Sequence, residues 1–406
     1  MKDAVHAGVS FEVDEETALI LSSIDEFIER EVRPLEEELG ETYTNPRKRH
    51  EDDGRVVEEV REAKREIRQK SAEAGFYAMN LPEDVGGEDV SNVTWYRANK
   101  HVAAKGPGLT ESVLAGPEGP KPLLAQAEGD QIDHYLKPTV RGEKSTAFGQ
   151  TEPGVGSDSP NMETTARRDG DEWVIDGAKQ WITNAPDADF AQIFARTTPQ
   201  EEAGRYGGIT CFIVEADEYE VTTLNNAVGR VGQQGQIALD GVRVPDDRIL
   251  GTLDEAFYDA MGFLSLGRLE IGAQAVGHAE YLLDRGVEYA NEREAFGRSI
   301  GSFQGVSHKL AAGRARAYAA TAAGLRLAWE VDRGNPAIEE SSIVKYLSSN
   351  VLFDVADDVV QIHGGNGLAE ENPFMDGLHT GRMLRIVEGT DEIQLKTIAG
   401  QMGIGD

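Results

Sequence analysis

One cysteine, Cys211, occurs in 406 residues. That excludes an intrachain disulfide framework and a multi-cysteine metal site, and no metal is expected. Cys211 lies in an apolar run, Ile209 to Val214, where a buried strand residue is expected rather than a nucleophile. Positive charge is also scarce: 40 Lys and Arg stand against 72 Asp and Glu, a formal net charge of -32. With no basic stripe to neutralise phosphates, the chain is not expected to bind nucleic acid. Nothing approaches the roughly 18 uncharged apolar residues that span a bilayer, and the first residues lack a charged-then-apolar leader pattern. A cytoplasmic protein with no membrane segment is expected. The acid excess is dispersed rather than gathered in a tail. That is the pattern of a halophilic surface, where salt screens self-repulsion.

The chain is too long for one ordinary core, so two or three domains are expected. Residues 14–39 carry apolar positions at helical spacing, including Ile20, Ile24, Phe27 and Ile28, with Asp14 as N-cap. Gly40 and a basic-then-acidic run, Arg47 to Asp53, predict a solvated loop. A second charged helix follows, with Glu58/Arg61 and Glu66/Lys70 at ion-pair spacing. Leu81-Pro82-Glu83-Asp84-Val85-Gly86-Gly87 reads as a rigid turn, and helical pattern continues to about residue 144. From residue 145 the period changes. Residues 172–182 read as two strands joined by an Asp176-Gly177 hairpin turn, and alternating segments recur at 190–196, 209–214, 219–224 and 236–244. From about residue 254 long helical patterns return, broken at 292–301, at Gly334-Asn335-Pro336 and at Gly364-Gly365-Asn366-Gly367. The expected fold class is α+β multidomain. A helical N-domain (1–144) precedes a β-barrel-like middle domain (145–253) and a C-terminal four-helix bundle (254–406).

Near the C-terminus, Glu388 follows an apolar pair, Ile386 and Val387, and precedes Gly389 and a helix capped by Thr390, with Asp391 and Glu392 in its first turn. Taken alone, an acid at a helix start in so acidic a chain is a capping residue. On a turn where glycine allows close backbone approach and apolar neighbours exclude water, it would instead have a raised pKa and serve as a general base. Three other stretches carry signal. Thr151-Glu152-Pro153-Gly154-Val155-Gly156-Ser157-Asp158 is a glycine-rich loop; Gln180-Trp181-Ile182-Thr183-Asn184 puts an indole beside a hydroxyl; Arg293, Phe296-Gly297 and Phe303-Gln304 mark a helix–helix break. Singly, each reads as a turn, a core tryptophan and a corner.

Together, with Leu81-Pro82 to Gly87, Asp240-Gly241-Val242-Arg243-Val244-Pro245 and Gln361 to Gly367, these motifs resemble the acyl-CoA dehydrogenase family in order and separation over almost the whole chain. The resemblance implies an FAD enzyme, usually a homotetramer, that passes electrons to an electron-transfer flavoprotein. It implies that Phe148, Gln150 and Thr151 line the flavin, that Trp181 packs on its ring system and that Thr183 bonds near its reactive nitrogen. Thr390 and Glu392 join the cofactor set. Arg293, Phe296, Gln304, Gln361 and Gly365 would hold FAD bound mainly to a neighbouring subunit. Ser157, Arg268 and Gly389 would contact the acyl-CoA substrate.

The reaction so implied is removal of the thioester α-proton by Glu388 while the β-hydrogen leaves as hydride, giving a trans-2-enoyl-CoA, in fatty acid β-oxidation. The enolate must be stabilised at the carbonyl oxygen, in the family by the base's own N–H and a ribityl hydroxyl. Some branches carry the base on the first bundle helix, where this chain has Gly267; nearby Glu270 is read as structural. Val387 stands where many members have an aromatic residue. An acyl-CoA oxidase or another flavin enzyme on the same fold is the alternative. A monooxygenase needs no α-proton base, a DNA-associated flavoprotein is opposed by the charge, and a dead structural subunit by the retained base. The Leu266–Gly272 segment leans towards short or branched acyl chains.

Overall fold

The computed structural model describes residues 12–45, 47–225 and 233–404. By internal packing the chain forms two compact units, one of residues 1–34, 90–111 and 265–406 and one of residues 35–89 and 112–264.

The first unit is helical. It contains α1 (Glu15–Phe27), α2 (Asn92–Ala103), α3 (Leu264–Glu292), α4 (Gln304–Asp332), α5 (Ile338–His363), α6 (Phe374–Leu384) and α7 (Asp391–Gln401). Asp14 caps α1 as expected, accepting from Thr17 N at 2.7 Å, and helical backbone continues through a π-helical turn at Ile28–Val32 to Leu39, the end expected from the sequence. Ile271, Val276 and Leu283 of α3, Leu310 and Ala317 of α4, and Leu352, Val355 and Val359 of α5 share one buried core with Phe374 and Leu384 of α6. Burying such side chains contributes about 1.5–3 kcal/mol each. Missing side chains let α2 in close: a Cβ on Gly277 would lie 2.3 Å from Lys100 O, and one on Gly324 would strike the Tyr96 ring.

The second unit is built on an eight-stranded sheet: β1 (Thr146–Gly149), β2 (Thr165–Asp169), β3 (Glu172–Thr183), β4 (Phe190–Arg196), β5 (Ile209–Glu215), β6 (Glu220–Asn225), β7 (Gln234–Pro245) and β8 (Ile249–Leu250). Its order is β6-β7-β3-β2-β4-β5-β8, with β1 pairing parallel to β4. The sheet is open among the described residues, so the barrel-like expectation is corrected to a mixed sheet whose two ends, β6 and β8, do not pair with each other. Both faces are covered. On β4 and β5, Phe190, Phe194, Ile209, Cys211 and Ile213 join one core with Tyr77, Leu81, Leu124 and Tyr135, while Ala191, Ile193, Phe212 and Val214 join another with Trp173, Ile175 and Val244. That is why these strands read as near-continuous apolar runs.

The Asp176-Gly177 hairpin is not formed. β3 runs straight through it, and the turn lies at Gly170, between β2 and β3. Asp176 instead sits opposite Asp240-Gly241 of β7, where the register shifts, and accepts from Gly241 N at 2.8 Å. Asp-Gly serves a bulge here as readily as it serves a turn.

Among the described residues no helix is long and apolar enough to cross a membrane, and no cluster of three His, Cys, Asp or Glu side chains could hold a metal ion.

Candidate active site

The Glu388 turn joins α6 to α7 and is closed at its base. Asp391 N donates to Arg385 O at 3.1 Å, and Arg385 Nε meets Asp391 Oδ2 at 2.7 Å. Thr390 caps α7, accepting from Ile393 N at 3.4 Å. Between these anchors two successive residues are left-handed, Glu388 at φ 53° and Gly389 at φ 87°. Gly389 tolerates this, and a Cβ there would strike Gln394 Nε2 at 2.7 Å. For Glu388 the conformation costs about 1–3 kcal/mol and persists only where surroundings over-determine it. They do: Gln394 Nε2 donates to Glu388 O at 3.0 Å and to Gly389 O at 2.9 Å, and Lys345 Nζ donates to Gly389 O at 2.6 Å.

Lys345 and Gln394 are fully buried. Burial pushes the Lys345 ammonium down to about 8, with Asp391 and Glu388 pulling up and Arg268 and Arg385 pulling down. Lys345 belongs to a buried polar stripe along α5, namely Ser341, Ser342, Lys345, Ser348 and Ser349. Arg268 of α3 meets the same stripe, donating to Ser341 Oγ at 3.3 Å and Ser342 Oγ at 2.9 Å. Burial lowers the Arg268 guanidinium, against the Glu388 charge. Its Nε has no hydrogen-bond partner among the described residues.

Within the helical unit, then, Arg268 lies near the turn that carries Glu388, Gly389 and Thr390. Water exclusion by the flanking apolar pair does not follow. Val387 packs against the bundle core, while Ile386 is 52% exposed and the Glu388 side chain is exposed, so this chain's own neighbours do not desolvate the carboxylate. Arg268 is buried rather than surface-presented. Glu270 is buried and accepts from Gln274 at 3.3 Å. Glu392 is exposed, and hydrogen bonds from its own N–H and from Thr390 hold its carboxyl below the usual range. Sequence reading missed Lys345 and Gln394. For Lys345 the signal was a set of serines at helical spacing with it, Ser341, Ser342, Ser348 and Ser349; Gln394 carried none.

At the other end of α3, Phe296 and Gln361 line a cleft of about 330 Å³ with Phe303, Val306 and Lys309. Arg293 and Gln304 flank it in sequence, and Gly365 lies in the turn that follows α5. Phe296 is left-handed, at φ 55°, and 96% exposed. Gly267 and Glu292 are separated by about 37 Å of helix at 1.5 Å per residue.

In the sheet unit, Gln180 N donates to Thr151 O at 2.9 Å, so the Phe148-Gln150-Thr151 strand end runs beside Trp181. Trp181 is left-handed (φ 63°) and 50% exposed, and the Thr183 hydroxyl two residues on accepts from Gln234 Nε2 at 3.3 Å. The loop to Ser157 is fixed from beneath. Glu152 is buried against fully buried Lys179 at 2.7 Å and also accepts from Thr164 N at 2.9 Å. Burial raises the Glu152 carboxyl, but the Lys179 charge and the Glu163 N–H outweigh it and the net shift is down; burial pushes Lys179 down to about 8. Ser157 itself is exposed. An indole held out of the core beside a hydroxyl and a fixed strand end fits an isoalloxazine ring.

The acyl-CoA dehydrogenase N-terminal, middle and C-terminal domains match residues 14–143, 147–242 and 255–403. The chain is 32% identical over 393 residues (96% of this chain, 98% of the relative) to a 3-(aryl)acrylate reductase of Clostridium sporogenes. It is 30% identical over 403 residues (97% and 91%) to the human mitochondrial short-chain specific acyl-CoA dehydrogenase. Butyryl-CoA dehydrogenase from Megasphaera elsdenii superposes with a TM-score of 0.83 at 27% identity, covering 97% of this chain and 99% of that one. The chain belongs to the acyl-CoA dehydrogenase family of FAD-dependent oxidoreductases.

Proposed function

We propose that the protein oxidises an acyl-CoA thioester to the trans-2-enoyl-CoA, with Glu388 as the base. The observation that carries this is the Glu388 turn. A non-glycine residue is held in a left-handed conformation by two buried side chains that bond its own and the next carbonyl. Such strain is retained where a side chain must be aimed. Glu388 takes the α-proton, and its backbone N–H is the chain's donor to the thioester oxygen, where enolate charge develops. Bound FAD supplies the hydride acceptor. Trp181, Thr183, Phe148, Gln150 and Thr151 would hold the ring system, and Thr390 and Glu392 belong to the same cofactor-binding set. Ser157, Arg268 and Gly389 would be substrate-binding residues for the acyl-CoA. Bound acyl-CoA displaces water from the exposed carboxylate, the desolvation its own neighbours do not supply.

Arg293, Phe296, Gln304, Gln361 and Gly365 lie a helix length from the base, beyond the reach of one extended flavin dinucleotide. This supports assigning them to the FAD of a neighbouring subunit in a homotetramer. An electron-transfer flavoprotein is the acceptor. In support, a relative 33% identical over 351 residues is a subunit of a caffeyl-CoA reductase–Etf complex in Acetobacterium woodii. That name and the aryl-acrylate one favour a second reading, the same chemistry run in reverse to reduce an unsaturated, arylated substrate. Incubating the enzyme with a panel of acyl-CoAs and an electron-transfer flavoprotein tests both. A product two mass units lighter supports oxidation. Conversion only of enoyl-CoAs, with reduced acceptor as donor, favours the reverse direction. If no acyl-CoA and no enoyl-CoA is converted, the assignment is overturned.

A further inference from the structure

Burying an ammonium costs several kcal/mol, and a well-packed aliphatic side chain of similar volume usually serves stability as well or better. Lys345 is fully buried, and its hydrogen-bond partner is a carbonyl, not a carboxylate. That carbonyl belongs to Gly389, the residue directly after the base. Gln394 also reaches it, but from α7, the helix the turn itself leads into; Lys345 reaches it from α5. The lysine therefore ties the Gly389 carbonyl to the body of the bundle, while Asn350 of the same helix donates to Asp391 Oδ2 at 3.2 Å, at the base of the turn. Around it, buried polar atoms of Arg268, Ser348, Asp391 and Gln394 lack partners among the described residues, so the site is not built for maximal hydrogen bonding.

We propose that Lys345 is a positioning residue for proton abstraction: by gripping the Gly389 carbonyl from α5, it fixes the peptide that follows the base and so aims the Glu388 carboxylate. This rests on the assignment of Glu388 as base. A charge-assisted bond is about twice as strong as a neutral one, which suits a grip that must hold two left-handed residues in place. Misplacement of a catalytic group by about 1 Å can cost on the order of 100-fold in rate. Removing the grip should therefore lower turnover and leave substrate binding nearly intact.

The test compares FAD-loaded wild type, Glu388→Gln, Lys345→Met and Lys345→Ala with the best acyl-CoA of the panel. Lys345→Met keeps length and bulk while losing donor and charge. The expectation is wild-type FAD content, an unchanged or raised Tm, KM within about threefold and kcat lower by about 10- to 100-fold. Ethylammonium, which fits the cavity left in Lys345→Ala, should restore kcat where ethanol does not. Unchanged kcat in Lys345→Met overturns the proposal. So does loss of FAD or Tm in step with kcat, equal rescue by both additives or by neither, or failure of both variants to fold. If wild type converts no thioester, the base assignment itself fails. If wild type is active, Glu388→Gln is inactive and Lys345→Met is normal, only the present inference fails.

Discussion

A methyl group placed on Gly267 would lie 3.5 Å from Glu388 Oε2, in ordinary van der Waals contact. The first bundle helix thus offers no carboxylate at this position and leaves just the space that the carboxylate on the α6–α7 turn occupies. Gly267→Ala should remove a helix-interior glycine without a clash and raise Tm by about 1–2 °C, measured by calorimetry. Gly267→Leu should instead push into the carboxylate and lower kcat by about tenfold or more, with FAD content unchanged. Wild-type turnover in the leucine variant would mean that the carboxylate at 388 is not constrained from α3.

The buried Lys179–Glu152 pair under the Thr151–Asp158 loop makes a stability prediction. Glu152→Gln leaves a buried ammonium without its partner and should cost about 3–5 kcal/mol at neutral pH in denaturant unfolding. The net shift of Glu152 is below its ordinary 4.5. The carboxylate's contribution is thus present in full above that value and lost as pH falls through the lowered one. The gap between wild type and Glu152→Gln should accordingly narrow below pH 4.5. A gap independent of pH would contradict the pairing.

Much of this was legible in the sequence, for reasons that differ by element. Phe190–Arg196 and Ile209–Val214 were read correctly as strands, but as alternating ones; they are buried on both faces, and the covering of the second face depends on segments distant in sequence. Asp176-Gly177 was misread because a bulge opposite Asp240-Gly241 uses the residues of a tight turn, and only the partner strand tells the two apart. The open sheet was not legible, since closure depends on which edges pair. Asp391 and Thr390 announced the start of α7. Lys345 and its serines escaped because lysine and serine at helical spacing normally mark a solvated face. Here the face is packed against Arg268 and the Glu388 turn instead. The exposure of Glu388 escaped for the opposite reason: Ile386 and Val387 are both apolar, yet only Val387 turns inward.

The charge of -32 predicts a steep salt dependence. At low ionic strength the dispersed carboxylates repel one another over about 10 Å or more, and added salt screens them. Tm should rise between roughly 0.1 and 2 M potassium chloride, most of all at the low end, where screening changes fastest. A Tm that is flat or falls with salt would remove the high-salt reading of the composition and leave the catalytic one untouched.

The central claim is that Glu388 is the base, and anaerobic mixing of FAD-loaded enzyme with acyl-CoA tests it most directly. Wild type should lose the oxidised-flavin absorbance with at least one thioester of the panel. Glu388→Gln, with FAD and fold intact, should bleach at least 100-fold more slowly, since a positioned general base is worth about 10²–10⁴ in rate. Bleaching of the glutamine variant at the wild-type rate would contradict the account, and the proton acceptor would have to be sought elsewhere in the site.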